Sequence, residues 1–393
     1  MTTTFDVKGL QCSLLTTLAQ LEEIATSWDS LLSQSATNEP MQSSIWLHNW
    51  WRVYGGEEGR QLRVLTIRRD DRLIGIAPFS ARPVRHLRAL SLQRLELMGT
   101  GEREEDETCS EYVGLIAARG EEQCVSEAFG ACLHKGAMGV WDEVVMPAMS
   151  SEATISALTA KALGRATKYE IQSGAPFIAL PNSWDDYMKG MSSSRRYLIR
   201  RSVRAWEKWA GEEPTLHKIE KAEDVDKGFE LLANLHAERW KDKGHVGAFT
   251  SPLFESFHRK TMHDLFAAGA LWLCWLEVKG KPVAALYNIV WNKQIRFYQS
   301  GRVMDVPQKV RPGVVMHACA IRQAIELGYT HYDFLAGTTR YKMQLANNVR
   351  PLVQLSVNRA GAKGRIKDLS TAGLDMGRSL RDAWKAHRNS EAE

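Results

Sequence analysis

The chain has 393 residues, 51 Lys plus Arg against 46 Asp plus Glu, and 44% hydrophobic residues. At roughly 100–200 residues per domain this suggests about two or three folded units, and it excludes disordered, collagen-like and fibrous classes. A net charge of +5 does not by itself indicate nucleic-acid binding, and six cysteines without a CxxC pair give neither a disulfide framework nor a zinc site. With no signal-peptide start and no apolar run of about 18 residues, the expectation is a cytoplasmic chain that does not span a membrane.

The first 60 residues read as helices. Leu14, Leu15, Leu18, Leu21, Ile24 and Ala25 recur at helical spacing, as do Ile45, Trp46, Trp50 and Trp51, a stripe best read as core. The period then changes to that of strands over 62–68 and 73–80, with Asp70-Asp71 as the turn between them. A strand over 94–98, an acidic loop at 102–107, a strand over 112–116, a helix over 121–136 and a strand over 140–146 follow. About 209 residues after the first hairpin, 271–291 repeats it around Lys279-Gly280, with Ile74-Gly75 opposite Val283-Ala284. The order continues with a strand over 294–300, a Pro- and Gly-containing loop, a helix over 314–327, a strand over 331–335 and a helix holding Tyr341 and Lys342. Strands alternating with helices indicate a mixed α/β chain. The expected divisions are 1–174, 175–358 and a polar, partly helical tail over 359–393 with eight basic and five acidic residues.

The chain lacks GxxxxGK[ST], GxGxxG, GxSxG and HExxH, and its histidines have no metal-ligand spacing, so no metal is expected. Four segments could carry chemistry. Gln308-Lys309-Val310-Arg311-Pro312-Gly313 opens a helix, where unpaired N–H groups and two cations can hold an anion, or where the cations are merely solvated. The segment 333–342 places Asp333 at a strand end before Gly337, Tyr341 and Lys342, which could serve as base, acid and phosphate contact, or Asp333 could cap the next helix. Along 194–204, Arg196, Arg200 and Arg204 share a helix face, which suits a phosphate-bearing ligand or pairing with the acidic loop at 102–107. Finally, His236 to Trp240 followed by Gly244 and Gly247 reads as a helix ending in a loop that can line a cleft.

Taken in order, SSIWLHNWW, LIGIAPFSARP, SRRYLIRR, AERW with GAF, KPVAALYNI, FYQSGR, the RPG loop and DFLAGTTRYK resemble the BioF2-like or CelD-like acetyltransferase family of the GNAT superfamily over about 25–350. The resemblance implies two tandem GNAT-like domains arranged as in FemAB-type aminoacyltransferases, with the more complete site in the second. It implies acyl transfer to an amine from acyl-CoA, such as acetyl-CoA, or in the FemAB branch from aminoacyl-tRNA. A third possibility is a non-catalytic accessory protein of polysaccharide synthesis. The donor site maps onto Lys309, Arg311, Gly313, Gly337 and Lys342, although Gly313 is the loop's only glycine and Pro312 removes an N–H. Asp333 is then the base or amine-orienting group and Tyr341 the proton donor or carbonyl partner. Arg196, Arg200, Arg239, Trp240 and Tyr298 fall to the acceptor, imagined as a small-molecule or sugar-linked amine on a bacterial cell-envelope precursor, with peripheral membrane contact possible.

Overall fold

A computed structural model describes residues 3–87, 90–241, 247–307 and 309–370. Gly244, Gln308 and the tail beyond 370 lie outside these residues; 362–370 is helical.

The chain opens with a hairpin, β1 (Thr3–Val7) and β2 (Leu10–Leu15), turning at Lys8-Gly9 with both φ angles positive. This corrects the helical expectation for the first residues. The helical spacing of Leu14 to Leu21 spans two elements, separated at Thr17, whose side chain closes a capping box with Gln20 at the start of α1 (Leu18–Glu23). Helices α2 (Ala25–Ser33) and α3 (Ser44–Tyr54) follow, with Trp28, Trp46 and Trp50 fully buried.

The first hairpin forms as expected, β3 (Gln61–Arg69) against β4 (Arg72–His86), with Asp70 and Asp71 at φ 47 and 63. Then come β5 (Leu90–Leu97), a two-residue β6 (Ile116–Ala117), α4 (Glu122–His134), β7 (Glu143–Ser150) and α5 (Thr154–Leu163). Residues 112–115, expected as strand, are irregular because Cys109 and Tyr112 adopt φ of 47 and 57. The second part runs β8 (Lys168–Ala179), α6 (Trp184–Gly190), α7 (Ser193–Ala210), β9 (Leu216–Lys218), α8 (Val225–Lys241) and α9 (Pro252–Ala267). The second hairpin, β10 (Leu271–Val278) with β11 (Lys281–Trp291), leads to β12 (Gln294–Arg302), α10 (Pro312–Glu326), β13 (His331–Asp333), α11 (Arg340–Leu345) and β14 (Asn348–Asn358).

All strands join one sheet in the order β1-β2-β3-β4-β5-β7-β14-β8-β13-β12-β11-β10-β9, with β6 on β4. Its only parallel pairs among the described residues are β5 with β7 and β12 with β13, each crossed over by a helix. At the centre the strands are exchanged: β8 pairs with β13, and β14, the last in sequence, pairs with β7. The boundary expected at 174/175 lies inside β8. The halves also share one apolar core, in which Trp46 of α3 packs edge-on at 4.9 Å against Phe257 of α9.

Candidate active site

The site forms where β12 and β13 part. They pair only from Gln294 with His331 to Arg296 with Asp333, after which β12 continues along β11 to Arg302. The other chain turns away: Phe334 N–H donates to Pro176 O, Leu335 takes φ 58, and Gly337, at φ 97, donates to Gly174 O. The wedge between them opens into two cavities.

The first, about 440 Å³, has Arg239, Arg302 and Arg311 around an apolar slot that includes Leu286, Val314 and Met316, with no carboxylate in its wall. Helix α10 starts here without a side-chain cap or an acid in its first turn, so its dipole and the Gly313 N–H add to the positive field, while Val314 and Val315 N–H donate to Arg311 O. His317 and Tyr341 also line the cleft, rings stacked at 5.9 Å. Burial pushes His317 down to about 3, so it is neutral, and raises Tyr341, so its hydroxyl keeps its proton. Arg311 also lines a basic groove of about 370 Å³ with Arg195, Arg201, Lys309 and Arg340.

The second cavity, about 1120 Å³, has the opposite charge: Glu104, Glu105, Asp106, Glu107 and Glu111 line it, against Lys342. One wall separates the two. Tyr341, Arg239 and Ser300 face the basic cleft, whereas their neighbours Lys342, Trp240 and Gln299 face the acidic cavity. Within that wall Arg239 donates to Ser300 Oγ at 2.9 Å, and Ser300 N–H donates to the Gln299 side chain at 3.2 Å.

Glu111 is the residue that sequence reasoning missed. Its Oε2 accepts from Ala336 N–H at 2.6 Å, a contact spanning 225 positions, and its Oε1 has no hydrogen bond among the described residues. Burial and the nearby Asp333 charge push its carboxyl up to about 8, against the pull of the Ala336 N–H, Lys342 and Arg296. Two left-handed non-glycine residues nearby, Cys109 and Tyr112, aim this segment. Ser-Glu-Tyr is not a motif, so nothing local marks it.

Several expected roles need correcting. Asp333 is fully committed: Oδ1 accepts from Leu335 N–H at 2.8 Å, and Oδ2 from Tyr112 O–H at 2.8 Å and Arg350 at 3.3 Å, with Arg296 3.7 Å away. Arg296 is in turn bidentate to Glu39. This buried network ties the halves together and leaves Asp333 no open oxygen for a base. Lys342 donates to Ala336 O at 2.5 Å and Leu335 O at 3.4 Å, so it braces the turn beside Glu111 instead of meeting phosphate, and Gly337 lies in the same acidic wall. Arg196 donates to Met191 O and Lys189 O, closing the end of α6. Arg200 lines a separate 700 Å³ cavity between α7 and α10. Tyr298 O–H donates to Thr108 O at 2.6 Å and so accepts from His258 Nε2, which makes it a strut in the acidic cavity's wall. Arg239, Arg311, Gly313 and Tyr341 do gather at the basic cleft, and Trp240 at the acidic one. The acidic loop and the α7 arginines form no ion pair among the described residues.

Residues 193–343, from the start of α7 into α11, match the family described as Acetyltransferase (GNAT) domain. Over most of its length the chain has the fold of FemX, with a TM-score of 0.59 at 9% identity, covering 85% of this chain and 96% of that one. The C-terminal domain of a candidate lysylphosphatidylglycerol synthetase from Agrobacterium fabrum superposes with a TM-score of 0.53 at 11% identity, covering 90% and 97%. L-PGS from Bacillus licheniformis gives 0.51 at 13% identity, covering 88% and 92%. No curated protein matches the sequence. The chain is thus a mixed α/β protein that shares the fold of FemX over most of its length and matches a GNAT-type domain over 193–343. No described helix is long and apolar enough to cross a membrane, and the described residues hold no cluster of three or more metal-ligand side chains.

Proposed function

We propose that the chain is a cytoplasmic N-acyltransferase that holds a phosphate-bearing acyl donor, an acyl-CoA such as acetyl-CoA, in the basic cleft and acylates an amine presented from the acidic cavity. The observation that carries this reading is the pair of oppositely charged cavities meeting at the parting of β12 and β13. The slot fits such a donor, since three arginines and an uncapped helix start suit its phosphates and the apolar floor suits its carbon chain. In this reading residues 175–358 hold the donor and residues 1–174 bring the base.

Glu111 Oε1 takes the proton from the acceptor ammonium, freeing the lone pair that forms the new C–N bond. The Ser300 N–H, exchanging the Gln299 side chain for the acyl carbonyl, polarises it where charge develops. As the C–S bond breaks, Tyr341 delivers its proton to the departing sulfur and regains one from the nitrogen, which sheds its second proton as the amide forms. A carboxyl held near 8 suits this base better than an ordinary one, because its proton affinity approaches that of the amine it serves.

A second donor, aminoacyl-tRNA, is favoured by the basic groove continuing from Arg311 through Lys309 and Arg340 to Arg195 and Arg201, longer than a single pyrophosphate needs. Thermal unfolding with CoA, acetyl-CoA and longer acyl-CoAs separates the two. Ligand at 100 times its dissociation constant stabilises the native state by about 2.7 kcal/mol. A shift with acyl-CoA that is lost in Arg311→Ala supports the first donor, and salt-sensitive tRNA binding without a CoA shift supports the second. Stabilisation by neither, with no acyl transfer, would overturn the proposal in favour of an accessory role.

A further inference from the structure

The sugar-linked acceptor suggested by resemblance is anionic, yet the cavity beside Glu111 is negatively charged. Glu104, Glu105 and Glu107 are exposed in its wall and form no ion pair among the described residues. Asp106 adds a fourth carboxylate, held by Ser251. The opposite wall carries an independent sign of a ligand. His236 is 1% exposed and lines this cavity. Its Nδ1 faces Ser300 O at 3.0 Å, and a backbone carbonyl can only accept, so the proton sits on Nδ1 and Nε2 is left as a lone-pair acceptor. That buried Nε2 has no partner among the described residues, and an unsatisfied buried acceptor is costly to keep. Its neighbours in the wall are Gly247, where a Cβ would come within 2.9 Å of the imidazole, and Trp240.

We infer that the acidic cavity binds an acceptor carrying more than one ammonium group, a di- or polyamine, with the reacting nitrogen at Glu111 and the others among Glu104, Glu105 and Glu107, and with His236 Nε2 accepting a hydrogen bond from an N–H of the chain. This rests on the transfer reading above and specifies its acceptor. An anionic amino sugar would meet like charge on entry, and a simple monoamine would leave three carboxylates unused.

The test compares spermidine, butylamine and glucosamine 6-phosphate by calorimetric titration of the full chain and as acceptors in a transfer assay. The two additional, partly screened pairs at a cavity rim should make spermidine bind about tenfold more tightly than butylamine. This margin should shrink with added salt and in the triple variant Glu104→Gln/Glu105→Gln/Glu107→Gln, whose changes are all exposed and should leave folding intact. His236→Phe should weaken spermidine binding while leaving the salt dependence in place. Equal binding of spermidine and butylamine, preference for the sugar phosphate, or a triple variant indistinguishable from the parent would overturn the inference. If butylamine and the sugar are acylated as well as spermidine, the inference falls and the transfer reading stands. If spermidine binds as described but no donor is ever consumed, the transfer reading falls and the polyamine site stands.

Discussion

The two halves contain the same unit, a hairpin, a strand, a helix and a parallel strand: β3 to β5 with α4 and β7, and β10 to β12 with α10 and β13. Each parallel pair carries a cross-strand arginine and acid, Arg94 with Glu143 at 2.6 Å and Arg296 with Asp333 at 3.7 Å. They differ at the crossover helix. The start of α4 holds Glu121 and Glu122, with Glu121 neutralised by Arg69 and Arg72, whereas α10 starts beside Lys309 and Arg311 with no acid. Carboxylates already satisfy the positive end of α4, so the N-terminal unit offers no anion a place there. Its residues 102–111 instead cross to the other half and supply the acidic wall. In the proposed reading one copy holds the donor and the other lines the acceptor side.

The sharpest way to break this comparison is Glu111→Gln. Loss of a general base should lower kcat by about 10²–10⁴ while donor affinity holds. Activity of the parent should rise with pH through about 8, since the base works only when ionised, and that rise should vanish in the variant. Stability should move the other way. A carboxyl raised above its unfolded value favours the protonated folded state, and this advantage is lost between the unfolded value and about 8 as pH rises. Glu111→Gln should therefore equal or exceed its parent in unfolding midpoint at alkaline pH.

Next in size is Arg296→Met. It leaves the part-buried Glu39 and the buried Asp333, which keeps Arg350, without their shared cation and should cost about 3 kcal/mol in denaturant unfolding. Arg311→Ala should raise the apparent donor constant about 10- to 100-fold, the worth of a charged hydrogen bond, leaving the pH profile in place. Lys342→Ala removes a cation that holds Glu111 down, so the rise in activity should move to higher pH. The smallest effect tests the first unit: Glu122→Gln, at the start of α4, should cost about 0.3–1 kcal/mol of stability and leave acyl transfer unchanged.

Local signals made much of this readable in the sequence. Both hairpins follow from alternation broken at Asp70-Asp71 and Lys279-Gly280, and α10 from Pro312 at its start and Gly328 after its end. The placement of Lys309 and Arg311 beside the start of α10 is legible because a helix start is a local feature. Strand exchange at β8 and β14 has no local signature, since it depends on which edge a strand meets. The candidate carboxylates are hard to read for the same reason. Asp333 has the spacing of a base, but Tyr112, Arg296 and Arg350 claim it, and the surroundings of Glu111, the proposed base, are made by Ala336 and Lys342 from 225 or more residues away. Arg196 shows the limit of helix-face arguments, because backbone carbonyls at the end of α6 take it inward.

The most direct test of the claim that the two halves divide donor and acceptor chemistry is single-turnover acyl transfer from acetyl-CoA to spermidine between pH 6 and 10, with donor affinity measured alongside, in the parent, Glu111→Gln and Arg311→Ala. The account predicts that Glu111→Gln binds the donor normally but loses the pH-dependent step, while Arg311→Ala loses donor affinity and keeps that step. Transfer by Glu111→Gln with the parent's rate and pH profile would contradict it.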